Sequence, residues 1–340
     1  MEFFKKETRI DFMGLRRYTV TVLLILWLGS LYMLFTKGLN FGLDFTGGTQ
    51  IEARFENPVD TSEIRKQLEK AGLHQVKVQH YGSTRDLLIR VANVKGANED
   101  QDGQIGGQVG RQDSADKQVG SADKSDQEQE KKISAEVKQL LQKENPGIEI
   151  RKTEFVGSEV GEQLFEQGGI AVLVSILATM IYIAFRFEYR LAVSAAVGLI
   201  HDGILILGIF SLFGFEFDLA TLASVLAVLG YSLNDTIVVF DRVRENFRKV
   251  RKGTPTEIMN MSINQTLSRT LMTSWLTLLV VLALLFFGGE SLFGFSMAFF
   301  LGIVIGTVSS IYVSGALALW LGLTRADLML KPKVELEEKP

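Results

Sequence analysis

Gly230-Tyr231-Ser232-Leu233-Asn234-Asp235-Thr236-Ile237-Val238-Val239-Phe240 closes an apolar run that begins at residue 219, and Asp235 is its single charge. As a helix, 219–240 is about 33 Å long, enough to cross a bilayer. A carboxylate inside such a span costs roughly 2.5–3.5 kcal/mol on insertion scales. A residue kept at that cost marks function. The next apolar run, 266–287, also carries one charge, Arg269. Both charges fall in the cytoplasmic half of their spans. An acid in one span and a base in the next form a pair whose separation sets how firmly Asp235 holds a proton. That is the least machinery that couples an ion gradient to motion. A plainer reading stays open beside it: Arg269 snorkels to the headgroups, and Asp235 is hydrogen-bonded by Asn234 or Ser232.

The bulk numbers agree with a membrane protein. The chain has 340 residues, 47% of them hydrophobic, at a mean hydropathy of +0.19. That mean combines long apolar runs with very polar segments, which fits a membrane protein carrying one soluble domain. A net charge of −3 gives no reason to expect nucleic acid. With no cysteine, disulfides and thiolate metal sites are excluded. His74, His80 and His201 are scattered, so no histidine metal site is expected. No Walker A, G-x-S-x-G or H-E-x-x-H sequence occurs, so neither a cofactor nor an enzymatic activity is expected.

In chain order, residues 1–17 are basic and form a cytoplasmic N-terminus. Residues 18–36 are an uncleaved first span, since Lys37-Gly38-Leu39-Asn40 follows rather than a small-x-small cleavage site. Residues 38–165 are soluble in character. Strands are predicted at 49–55, 75–80, 86–91 and 148–155, the middle two joined by Gly82-Ser83. Helices are predicted at 60–71, from Ile64, Leu68 and Ala71, and at 134–143, from Val137, Leu140 and Leu141. The order β-α-β-β-α-β is that of a ferredoxin-like sandwich. Residues 92–132, rich in Gly, Gln, Asp, Ser and Lys, read as a disordered insert.

Five apolar runs follow within 168–321, at 168–185, 191–213, 219–240, 266–287 and 295–321. Arg186 and Arg190 flank one connection, and Arg242, Arg244, Arg248, Lys249, Arg251 and Lys252 crowd another. The alternate connections carry only Glu216, Asp218 and Glu290. The positive-inside rule then puts both termini, including the tail 322–340, in the cytoplasm. The expected fold is a polytopic α-helical membrane protein: six transmembrane helices, with an external α+β ferredoxin-like domain between helices 1 and 2.

Three further features stand out. His201-Asp202 lies near the middle of the third span. Neighbours on a helix point about 100° apart, so the two are not expected to form a pair by themselves. They read as a relay beside Asp235, or for His201 as a ring satisfied by a backbone carbonyl. In the sixth span Gly294, Ala298, Gly302, Gly306, Ser310, Ser314 and Ala318 recur every four residues, a packing seam that requires a tight partner helix in this chain or another. The basic stretch 241–249 reads as a helix leaving the membrane, whose charges fix topology at the lipid surface.

One span, a large external domain and five more spans resemble half of a resistance-nodulation-division transporter. Three stretches narrow this: Gly42-Leu43-Asp44-Phe45-Thr46-Gly47-Gly48, Ala184-Phe185-Arg186-Phe187-Glu188, and 230–242 ending in Asp241-Arg242. Together they resemble the SecF family, the smaller subunit of the SecDF protein-export complex, over nearly the full length. The resemblance implies a multi-pass protein of the bacterial plasma (inner) membrane. It implies action with SecD and the Sec translocon channel on a translocating polypeptide, driven by protons. The family's intramembrane acid falls on Asp235 and its basic residue, in Leu267-Ser268-Arg269-Thr270-Leu271, on Arg269. The proton-coupling set read here is Asp235, Arg269, His201, Asp202 and Asn234. The competing expectation is a proton-coupled exporter of small molecules or lipids from the same superfamily. The insert 92–132 is longer than that family usually carries.

Overall fold

The computed structural model describes residues 8–328 except 72, 74, 75, 82, 92–134, 136 and 144–146. The predicted insert 92–132 and most of the tail 322–340 lie outside the described residues. The chain divides into two compact units, Phe41–Gly169 and the remainder.

Six described helices are long and apolar enough to cross a membrane. They are α1 (Arg16–Thr36), α4 (Ser158–Arg186), α5 (Tyr189–Phe213), α6 (Leu219–Lys249), α7 (Pro255–Phe287) and the pair α8 (Phe293–Ser309) and α9 (Gly315–Trp320), joined by a π-turn at Ser310–Ser314. Several outrun their apolar segments for local reasons. Before α7, the Thr254 side chain accepts from Glu257 N–H and the Glu257 carboxylate accepts from Thr254 N–H, with Pro255 at the first position. This capping box starts the helix eleven residues ahead of the hydrophobic run at 266. α6 continues past Phe240 into the basic stretch, where Lys249 reaches Glu245 at 2.6 Å and the last-turn cations suit the helix C-terminus.

The seam of the sixth span finds its partner within this chain. A Cβ on Gly294 would overlap Thr221, one on Gly302 would overlap Val228, and one on Gly306 would come within 2.9 Å of Ser232. All three partners lie on α6. Ser224 Oγ donates to Phe295 O at 2.7 Å across the same contact. Between hydrocarbon-embedded helices there is no hydrophobic drive to associate, so close van der Waals approach and interhelical hydrogen bonds hold the pair. Seen from within the chain, α1 and α4 are the most exposed of the six: only 6% and 11% of their apolar windows are buried, against 56% for α5.

The other unit contains an antiparallel sheet of β1 (Gly48–Arg54), β2 (Val76–Tyr81), β3 (Ser83–Val91) and β4 (Glu149–Val156), in the order β2-β3-β1-β4. Helix α2 (Thr61–Lys70) and the helical residues 137–143 (α3) bury Ile64, Leu68, Val137 and Leu141 with Ile51, Val78, Leu87 and Ile89 in one core. The helix α2 begins on Asp60, whose side chain accepts from Ser62 N–H at 2.8 Å. The stretch Gly42–Gly48 is a structural start to the domain. Gly47 and Gly48 adopt φ of 65° and 121°, backbone that favours glycine, and a Cβ on Gly161 of α4 would meet Gly47 N at 2.9 Å.

Two outcomes follow. Gly302→Val forces a branched side chain into Val228, and overpacking of this kind costs about 1–3 kcal/mol. The detergent-solubilised chain should melt well below wild type, whereas Gly230→Ala, on the same α6 with nothing within 4 Å, should melt no lower. In the sheet, Asp86 accepts from Arg54 Nε at 2.6 Å and from Ser83 Oγ at 2.7 Å. Arg54 first, helped by Ser83, holds its carboxyl down to about 2. A carboxyl depressed in the folded state adds stability above its unfolded pKa and loses it as pH falls through its folded one. Hydrogen-exchange protection of β1 and β3 should therefore decline between about pH 4 and 2, and Asp86→Asn should remove that part of the decline.

Candidate functional site

Four helices bring polar side chains together inside the bundle: His201 and Asp202 from α5, Ser232 and Asp235 from α6, Ser274 from α7, and Thr307 and Ser309 from α8. Asp202 is fully buried. Its Oδ2 accepts from Ser232 Oγ at 2.5 Å and Ser309 Oγ at 2.8 Å, and its Oδ1 lies 3.1 Å from His201 Nδ1. Three donors on three helices thus converge on one carboxylate. The sequence expectation that His201 and Asp202 do not pair is corrected here. Nδ1 sits close to the backbone, so a ring turned along the helix surface reaches the next carboxylate despite the angular offset. With Nδ1 directed at Asp202, Nε2 is the ring's other face; it is buried and has no hydrogen-bond partner among the described residues.

Asp235 has the opposite environment. It is 2% exposed, and its Oδ2 has no hydrogen-bond partner among the described residues. Neither neighbour proposed from sequence satisfies it. Ser232 is committed to Asp202, and Asn234 points out of the bundle as an exposed residue. Arg269 is exposed on α7, and among the described residues no ion pair joins it to Asp235. Ser274 belongs to a string of hydroxyls, 3.3 Å from Tyr231 OH and 2.9 Å from Thr307 Oγ1.

The two intramembrane acids are thus chemically distinct. A buried carboxylate with three donors is fully satisfied and fixes the helices that supply them. A buried carboxylate with an oxygen lacking any donor sits in the more costly arrangement, and a proton on it costs no hydrogen bond. Sequence reasoning missed Ser309, Ser274 and Thr307. Each is an ordinary hydroxyl residue in an apolar run, and only Ser310 and Ser314 carry the four-residue periodicity. Among the described residues no group of three or more His, Cys, Asp or Glu is placed to hold a metal.

A multi-pass helical membrane protein with two buried acids among its helices is the class that this fold and site define. The family described as protein export membrane protein SecD/SecF, C-terminal, matches residues 136–324, and the SecD/SecF GG motif matches 32–59. The chain is 44% identical to the protein translocase subunit SecF of Pseudomonas aeruginosa, covering 94% of each. It is 44% identical to SecF of Vibrio alginolyticus, covering 99% of this chain and 97% of that one. The crystal structure of SecDF, a translocon-associated membrane protein, from Thermus thermophilus superposes with a TM-score of 0.76 at 34% identity. That match covers 94% of this chain and 39% of the SecDF chain. This chain belongs to the SecF family of protein translocase subunits.

The contrast between the acids has a measurable consequence. Asp202→Leu strands two serine hydroxyls and His201, at about 1–3 kcal/mol per buried unsatisfied group, and should sharply lower the thermal midpoint in detergent. Asp235→Asn should leave that midpoint within a degree or two of wild type.

Proposed function

We propose that this chain acts with SecD, beside the Sec translocon channel, to use the proton-motive force to promote translocation of polypeptides across the bacterial plasma membrane. Asp235 takes up and releases the proton, and Arg269 tunes that exchange through its charge. Asp202 and His201 hold the helices around it, and Asn234 faces outward from the site. The observation that carries this reading is the carboxylate of Asp235, buried between packed helices with an oxygen that no donor among the described residues satisfies. An uncompensated acid at membrane depth is a strong sign of use. Moving one charge across the membrane is worth about 2.3 kcal/mol per 100 mV, enough to bias an equilibrium between two arrangements of a domain.

The topology assigned with this function has residues 1–17 and 322–340 in the cytoplasm and 38–165 outside as a ferredoxin-like domain. The positive residues at 186–190 and 242–252 support the orientation. The sheet order supports the domain type: β1 and β2, joined through α2, are separated in space by β3, as in a split βαβ arrangement.

The test is release of a translocating protein from membrane vesicles containing the complex, with and without a proton gradient. The gradient should stimulate wild type and fail to stimulate Asp235→Asn or Arg269→Ala, with assembly of each variant intact. Equal stimulation of all three would mean that the energy enters through another subunit.

A further inference from the structure

Two asparagines of α7 hold down the segment that precedes α1. Residues 8–15 form neither helix nor strand, yet they are tied at several points. Asn264 Oδ1 accepts from Ile10 N–H at 2.9 Å, and its Nδ2 donates to Ile10 O at 2.8 Å. One side-chain amide thus pairs with both backbone polar groups of one residue. A turn earlier, Asn260 Oδ1 accepts from Met13 N–H at 2.9 Å, and its Nδ2 donates to the Asp11 carboxylate at 2.6 Å. Asparagine is a poor helix former, and a spacing of four puts both side chains on one face of α7. Beside these clamps Phe12 and Met13 turn inward, 8% and 2% exposed. Phe12 meets Tyr312 of the π-turn edge-on, with ring centroids 6.1 Å apart. Met13 Cε, Met259 Sδ and Ile263 Cδ1 all lie within 4.0 Å of the point where Gly315 would carry a Cβ.

We infer that residues 8–14 are a strap that seals the end of the membrane unit assigned to the cytoplasm, and that its lifting opens the path by which water and protons reach Asp235. Phe12 and Met13 belong to one buried apolar cluster with Met259, Ile263 and Leu267 of α7 and Leu233 and Val239 of α6. Val239 follows Asp235 by one helical turn toward that end, so the cluster is the apolar layer between the acid and the strap. Lifting the strap takes two large side chains out of this layer, and Gly315 has no side chain with which to close the gap. The strap lifts without unwinding any helix. Its bonds from Asn260 and Asn264 to Asp11 and Ile10 lie at the surface, where water replaces them at small net cost. Where it meets the sixth span, that span departs from regular helix at Ser310–Ser314, as helices often do at functional positions. The inference rests on Asp235 being the proton-exchanging group.

The chain has no cysteine, so single introduced cysteines report on the seal without background from this chain. Ile263→Cys lies under the strap and Leu267→Cys one turn deeper. Ser296→Cys, fully buried near the start of α8, reports on the opposite end of the bundle. Each is placed in the complete complex in inverted membrane vesicles and treated with a membrane-impermeant maleimide, and mass spectrometry of the labelled peptide gives the rate. Asn260→Ala with Asn264→Ala removes both clamps and favours helix, so α7 still forms. In that background, labelling at 263 and 267 should be about tenfold faster, the scale of one or two hydrogen bonds, with 296 unchanged. No acceleration, acceleration at 263 alone, or acceleration at 296 as well would overturn the seal. The lifting is tested by joining Ile10→Cys to Asn264→Cys with a short bis-maleimide. Gradient-stimulated release should be present before crosslinking and lost after it; undiminished stimulation after crosslinking would overturn the lifting. The labelling requires neither translocation nor Asp235, so a wild-type complex without a gradient effect would reject the export reading, and the labelling rates would still decide the seal.

Discussion

The rest of the membrane unit depends on how near α6 and α8 come to each other. Gly294, Gly302 and Gly306 face Thr221, Val228 and Ser232 at distances that leave no room for a Cβ. Only at that separation can Ser232 on α6 and Ser309 on α8 reach the same oxygen of Asp202. The carboxylate in turn supplies what apolar packing lacks in a membrane, a directional bond between helices. Small residues and the acid therefore support one another. The glycines bring the hydroxyls together, and the acid makes their convergence favourable where no water competes.

Two acids of the same membrane interior are given different chemistry by their neighbours alone. Asp202 is surrounded by donors and behaves as part of the frame. Asp235 follows Ser232 by about one helical turn, so its backbone is fixed by the frame while its side chain is left short of donors. A group that exchanges protons benefits from this division. The scaffold around it stays constant while its own hydrogen bonds change.

The sheet unit packs by a different logic. Its core is made by alternation along β1 and β2 and by the apolar faces of α2 and α3. Its Arg54–Asp86 ion pair keeps an exposed guanidinium, so the pair is screened and contributes modestly. The glycines at 47 and 48 let the chain turn into β1 where a side chain would be strained.

The six apolar segments, the placement of the strands and the cost of a carboxylate at Asp235 were all legible in the residues alone. These are local properties: hydropathy over about twenty residues, two- or 3.6-residue periodicity, and the burial cost of one carboxylate. The residues also showed that the sixth span has a tight partner, because a four-residue repeat of small side chains has little other use. It takes the packed helices to show that the partner is α6, that His201 and Asp202 touch, that Ser232 serves Asp202 rather than Asp235, and that Arg269 stands apart. The physical reason is that a hydroxyl or a charge has no preferred direction in the sequence. Which acid a serine satisfies depends on the separation and rotation of helices far apart in the chain, and those are set by side-chain volumes summed along the whole contact.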